Sequence, residues 1–420
     1  MKVKIACGKE WIEINLPDRA IVLEKREMNP IEQVEEQIAK SLEEPIESAP
    51  LKEIAKGKRD ACVVISDVTR PVPNSVILPP LLRALEDGGI NRDRIRILIA
   101  TGMHRPNLGE ELRQVVGDYV FNNYEILNHY SRREKDMEIV DEIEGTPIGI
   151  NRVYLEAELK ILTGLIEPHF YAGFSGGRKS IVPGISSFET MKFMHSFSMI
   201  DHPNVRNCLL DGNPFHEYAL RITEKVGADF ILNVVIDRYR RISGIFAGHF
   251  NRAHILGCKM VEEYSTVKLN KRVDMVISSG GGYPLDATFY QISKALICAR
   301  DILKKGGTIV ILCECREGLG SREFINVLRS VSSPEEFYKR YSDPKNFVID
   351  QWCAQNIFQA IDHAGSIYVY SPNLSEEDLG HLGIKKIENI QDTLDRLTPE
   401  HEDIVAIPEG PYVVGMVQDS

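Results

Sequence analysis

The strongest constraint on this chain is a rhythm of short apolar runs, each followed by a glycine- or proline-rich loop and then a helical pattern. Residues 61–66 read ACVVIS, too short for a helix and apolar on both faces, as a strand covered on two sides requires. The loop DVTRPVPN follows, and its two prolines forbid regular structure. A helix over 77–86 ends at Asp87-Gly88-Gly89. Then come the strand IRILIA, the loop TGMHRPN and a helix over 109–116. Such a repeat predicts a parallel sheet with helices on its faces, in which ligands bind outside the carboxyl ends of the strands. Residues 119–160 read as an irregular excursion, 230–237 and 241–247 as an antiparallel pair, and 249–264 as a long helix between two domains. A second series starts near Val273 with VDMVISS, the loop GGGYPLD, a helix over 287–303 and the strand GGTIVILCEC. A helix over 350–361, SIYVYS and one last strand, VAIPEGPYVVGMV, complete it. The expected fold class is α/β: two α/β domains with mainly parallel sheets facing each other across an active-site cleft. The N-terminal domain is expected over 1–265, and a C-terminal domain closing the cleft over 266–420.

Composition narrows the function. The net charge of -11 argues against broad binding to nucleic acid or to anionic membrane. No apolar run approaches the ~20 residues that span a bilayer, and the alternating N-terminus lacks a signal-peptide core, so a cytoplasmic protein is expected. Eight scattered cysteines in 420 residues read as reduced thiols. Cys313-x-Cys315 is the only close pair, and without a second pair it reads as packing rather than a zinc site.

The chemistry concentrates in Gly164–His195, GLIEPHFYAGFSGGRKSIVPGISSFETMKFMH. A buried strand, Leu159–Leu165, runs into Glu167-Pro168-His169 and then into the glycine-rich turn Gly173–Ser180. Glycines let a backbone approach an anion closely, and successive N–H groups cradle it. His169, Lys179 and His195 meet in one pocket only if this loop folds back. The turn is not a P-loop, because Arg178 stands where Walker A requires glycine before Lys-Ser, and Gly-x-Gly-x-x-Gly is absent. Asp67 and Arg70 in DVTRP, and His104 in TGMHRP, also lie at strand ends. An arginine fork there suits a carboxylate. Gln291 and Lys294, three apart at a helix start, share one face.

Together DVTRP, the 102–106 loop, EPHFYAGFSGGRKSIVPG, the following His195, GGYPLD-x3-YQ-x2-K and Trp352 resemble one family. It is that of the nickel-dependent lactate racemases and related 2-hydroxyacid racemases and epimerases. The resemblance covers nearly the whole chain. It implies nickel and a pyridinium-3-thioamide-5-thiocarboxylic acid mononucleotide, the nickel-pincer nucleotide, covalently attached to Lys179. Its pincer would give nickel two sulfurs and a ring carbon, leaving His195 as fourth ligand of a square-planar ion. Ser175, Gly176, Gly177, Arg178 and Ser180 are expected to hold the nucleotide. Asp67 is placed there too, or beside a histidine; the residues leave both open. Partners implied are a small 2-hydroxy acid and the proteins that make the cofactor.

The family chemistry explains the residue types. The C2 hydrogen of a 2-hydroxy acid is too weakly acidic for histidine alone, so a hydride acceptor is needed. Two bases with pKa values near working pH then serve opposite faces. The resemblance assigns these to His104 and His169, the carboxylate to Arg70, and other substrate contacts to Tyr290, Gln291, Lys294 and Trp352. Lactate, malate, longer hydroxy acids and sugar acids all fit. The competing expectations are a non-catalytic nucleotide- or hydroxyacid-binding protein on the same scaffold and, behind it, an NTPase.

Overall fold

The structure, a computed structural model, describes residues 1–417. The chain divides into two compact units. One holds Glu27–His195 and His202–Tyr264; the other holds Met1–Arg26, Ser196–Asp201 and the residues from Ser265 onward.

In the first unit a six-stranded sheet runs in the order Ile242–Gly248, Phe230–Ile236, Leu159–Leu165, Ala61–Ser66, Ile95–Ala100, Glu125–Asn128. All neighbours are parallel except the 230–236/242–248 pair. Ala61–Ser66 is buried along nearly its whole length, as its unbroken apolar run demands. Leu78, Leu81, Leu82 and Leu85 of the helix Asn74–Asp87 share a core with Val63, Ile65, Ile97 and Ile99 of the sheet. From Ala61–Ser66 the chain steps outward to 95–100 and 125–128. It then returns to lay Leu159–Leu165 on the other side. The order therefore reverses between these two central strands, the position at which open α/β sheets bind ligands beyond the strands' carboxyl ends. This is the strand order of doubly wound dinucleotide folds, without their glycine fingerprint.

The second unit has its own six-stranded sheet, all parallel: Lys385–Ile387, Ser366–Tyr370, Leu303–Leu312, Val273–Ser279, Ile404–Ile407, Ile21–Val22. The helix Phe289–Ile302 packs on it and on the helix Gln351–His363.

Three expectations change. Residues 1–26 belong with the C-terminal unit, not with an N-terminal domain of 1–265. Val3, Ile5, Ile14 and Leu16 of the first hairpin share a core with Met275, Ile277, Val310 and Leu312, and Ile21–Val22 adds an edge strand beside Ile404–Ile407. Residues 196–201 follow, because the Phe197 ring lies 6.3 Å from Phe337 and its carbonyl accepts from Gln355 Nε2 at 3.0 Å. The 119–160 stretch is ordered: Glu125–Asn128 is a sheet strand, and Met137–Ile143 pairs with Thr146–Asn151. The last run is two strands, Ile404–Ile407 and Val414–Val417, because Gly410-Pro411 starts a 3₁₀ turn between them.

Candidate active site

Asp67 leaves the strand Ala61–Ser66 with its side chain only 4% exposed. Its Oδ2 lies 2.7 Å from His104 Nδ1, while Oδ1 accepts from Thr69 Oγ1 at 2.6 Å and from the Thr69 N–H at 3.2 Å. Burial pushes the Asp67 carboxyl up, but the hydrogen bonds from His104 and Thr69 and the Arg70 charge hold it below the usual carboxylate range. An ionised carboxylate only accepts, so the imidazole proton sits on Nδ1 and the lone pair on Nε2. His104 itself is 57% exposed, its loop tied by Gly102 N–H to the Gly184 carbonyl at 2.9 Å. Of the two roles left open for Asp67, its contact is with the histidine. Arg70 donates from Nη1 to Glu167 Oε1 at 3.2 Å, across the two central strands' loops.

The second loop folds back on itself, as convergence required. Pro168–His169 pairs antiparallel with Gly173–Phe174. Gly173 and Gly176 have φ of +74° and +76°; a Cβ would meet the Leu209 carbonyl oxygen at 2.2 Å and Asn233 Oδ1 at 2.4 Å, so only glycine fits. His169 Nδ1 accepts the N–H groups of Tyr171 and Ala172 at 3.1 and 3.3 Å. Those two donors leave the ring proton on Nε2, which lies 2.7 Å from Lys179 Nζ.

The rest of the glycine turn is tied inward to its surroundings. Ser175 Oγ donates to the Leu165 carbonyl at 2.7 Å, Ser180 Oγ to that of Thr163 at 3.1 Å, and Gly177 N–H to Asn233 Oδ1 at 2.9 Å. Arg178 is buried, donates to the Ala172 carbonyl at 2.6 Å and has Nη1 2.9 Å from His254 Nε2. These groups brace the loop that carries Lys179.

His195 caps the C-terminus of the helix Phe188–Met194. Its Nδ1 is 3.0 Å from the Met191 carbonyl, which fixes the proton there and puts the lone pair on Nε2. Burial pulls the imidazole down to about 4, against the opposing Met191 hydrogen bond, so it is neutral at pH 7. The rings of Tyr171 and Phe215 meet it edge-on at 5.9 and 5.5 Å, and Lys179 Nζ lies 5.6 Å from the same Phe215 ring. His169, Lys179 and His195 thus surround one aromatic pair. Among the described residues no group of three or more His, Cys, Asp or Glu could hold a metal ion, so a metal at His195 needs ligands from elsewhere.

Sequence reasoning missed Glu167, Tyr171 and Phe215. The aromatics look like ordinary core residues, and only EPH, shared with His169, could have signalled Glu167.

In the second unit, Tyr290, Gln291 and Lys294 lie on the first turns of the helix Phe289–Ile302. Trp352 Nε1 donates to the Tyr290 hydroxyl at 3.2 Å. Gln291 Oε1 is buried with no hydrogen-bond partner among the described residues.

Residues 7–207 match the family model described as lactate racemase N-terminal domain, and 268–415 that described as lactate racemase C-terminal domain. The lactate racemase of Lactiplantibacillus plantarum is 41% identical over 338 residues, 80% of this chain and 79% of that protein. That of Thermoanaerobacterium thermosaccharolyticum is 34% identical over 421 residues, 98% of each. The solved lactate racemase apoprotein from the latter organism superposes with a TM-score of 0.91 at 32% identity, covering 100% of both chains. A Thermotoga maritima protein shares the fold at a TM-score of 0.67 and 18% identity, covering 94% of this chain and 100% of its own. With nearly its whole length matched, the chain belongs to the lactate racemase family and is a racemase, an isomerase.

Proposed function

We propose that the protein inverts C2 of a 2-hydroxy acid, lactate in the first instance, with a nickel-pincer nucleotide on Lys179 and with His104 and His169 as proton partners. The observation that carries this is the 2.7 Å contact between Lys179 Nζ and His169 Nε2. It sets the attachment amine beside an acid/base side chain, around the aromatic pair that also holds His195.

The residues fit the cofactor. Lys179 Nζ lies 2.7 Å from His169 Nε2, a proton-handling side chain beside the amine whose unprotonated form acylation needs. His195 is neutral and presents Nε2, as a nickel ligand must. When bound, the pincer nucleotide supplies a hydride acceptor for C2. The remaining work falls to side chains of this chain. Arg70 holds the carboxylate through its open edge. His104, oriented by Asp67, takes the hydroxyl proton at Nε2. His169 presents Nε2–H to the substrate oxygen on the other side. To serve as a base it moves its proton to Nδ1, giving up the Tyr171 and Ala172 N–H groups. Gln291, with its orphaned amide oxygen, and Tyr290, Lys294 and Trp352 are assigned to the substrate.

The test uses His104→Ala and His169→Ala, each shown by mass and nickel content to be loaded, with turnover measured from both enantiomers. Loss of a general base costs about 10²–10⁴-fold. Either substitution should stop both directions, since each inversion uses both partners. Near-wild-type turnover in one loaded variant would leave a single base and refute the pairing.

A further inference from the structure

We infer that Glu167 is a positioning residue for substrate: it holds the Arg70 guanidinium by one nitrogen so that the opposite edge faces the substrate carboxylate. This rests on Arg70 being the carboxylate anchor.

Arg70 sits on a loop, its side chain 33% exposed, at the end of a long flexible stem. Its only side-chain hydrogen bond among the described residues is to Glu167 Oε1, made by Nη1 at 3.2 Å. A guanidinium carries five N–H donors in one plane. Binding Nη1 alone leaves the edge of Nε and Nη2, the pair that grips a carboxylate bidentately. A competitor for the substrate site would occupy that edge instead.

Glu167 can impose the orientation because its own backbone is clamped. Its N–H donates to Ser175 Oγ at 3.0 Å, and its carbonyl accepts the Ser175 N–H at 2.9 Å. Ser175 Oγ in turn donates to Leu165 at the strand end, so the carboxylate is referenced to the sheet. The brace runs from the sheet through Ser175 and Glu167 to Arg70. It removes rotamer freedom from the arginine before substrate arrives, so less order is lost on binding.

Charge alone predicts the opposite effect. Asp67 already places one buried carboxylate beside Arg70, and Glu167 adds a second negative group near an anionic substrate. If charge governed, removing Glu167 would tighten substrate binding. If positioning governs, removing it loosens binding, while glutamine, which keeps an acceptor oxygen, restores the grip.

The experiment measures kcat and KM for lactate in protein loaded with cofactor, in four variants: Glu167→Ala, Glu167→Gln, Arg70→Ala and the Glu167→Ala/Arg70→Ala pair. Thermal midpoints are compared first. Glu167→Ala should raise KM about tenfold with kcat within threefold of the parent, and Glu167→Gln should recover most of that loss. In the Arg70→Ala background, Glu167→Ala should have no further effect, because its target is gone. A lowered KM in Glu167→Ala, or an effect that persists without Arg70, would overturn the inference. If Arg70→Ala raises KM while Glu167→Ala leaves it unchanged, the anchor stands and only the Glu167 role falls. If Arg70→Ala leaves KM unchanged, the anchor reading itself fails.

Discussion

Replacing Asp67 by asparagine changes one atom type at a position where geometry dictates the outcome. In the parent, Oδ1 receives both Thr69 donors and Oδ2 faces His104 Nδ1. An asparagine must choose which end carries its oxygen. The Thr69 N–H is a fixed donor, so the amide oxygen stays at the Oδ1 position and the NH₂ turns to His104. There it donates to Nδ1, which moves the imidazole proton to Nε2 and removes the lone pair proposed to take the substrate proton. Losing the charge-assisted hydrogen bond alone costs about 1.5–3 kcal/mol, roughly 10–150-fold. The wrong tautomer adds to this, as in the comparable Asp→Asn change of a Ser-His-Asp triad, where the loss is about 10⁴-fold. We expect a drop of ~10³–10⁴-fold in kcat at equal cofactor loading, with little change in KM, since Asp67 does not grip the carboxylate. The assay is initial rate from each lactate enantiomer, normalised to nickel content. Activity within threefold of the parent would refute the claim that Asp67 sets the His104 tautomer.

Other outcomes follow from the same geometry. Lys179→Ala should abolish the covalent adduct while the fold survives, because the side chain is only partly buried; an unchanged intact-mass shift after co-production with the cofactor-synthesis proteins would exclude the attachment. His195→Ala should lower nickel content while leaving the organic adduct on Lys179, and wild-type nickel stoichiometry would count against ligation. Acid should weaken the fold before most carboxylates titrate. Burial pulls His129 down to about 4, with Nε2 donating to the Ser186 carbonyl and Nδ1 accepting from Asn151. The unfolded chain takes up this proton near pH 6.5. The His129 contribution is therefore complete above pH 6.5 and is lost as pH falls towards 4, by about 3 kcal/mol. Urea midpoints at pH 7.5 and 4.5 should converge in His129→Gln relative to the parent, and an identical pH dependence would contradict this.

The fold was legible where one physical signal dominated. Ala61–Ser66, Ile95–Ala100 and Leu159–Leu165 are buried on both faces, so their apolar runs announced them. Glu125–Asn128 reads EILN, an edge strand with a charged start, and nothing in that composition marks a strand. The N-terminus showed its alternation in sequence, but the allegiance of its hairpin, residues 2–15, to the C-terminal unit depends on which apolar faces meet, a long-range fact. In the site, strand-end placement singled out Asp67, Arg70, His104 and His169, and the structure puts Asp67 against His104 and Arg70 against Glu167. Ser175, Ser180 and Arg178 look like ligand donors in sequence, and nothing there announced that they also brace the loop. Their hydrogen bonds to carbonyls of the adjoining strand and of the turn itself exist only once the loop has closed.

Racemisation itself is read by incubating cofactor-loaded protein with pure L-lactate and, separately, pure D-lactate, and following both by chiral chromatography. Both reactions should approach the same equal mixture of enantiomers, and neither should do so with Lys179→Ala. Lactate that keeps its configuration, in protein shown by mass and nickel content to carry the cofactor, would contradict it.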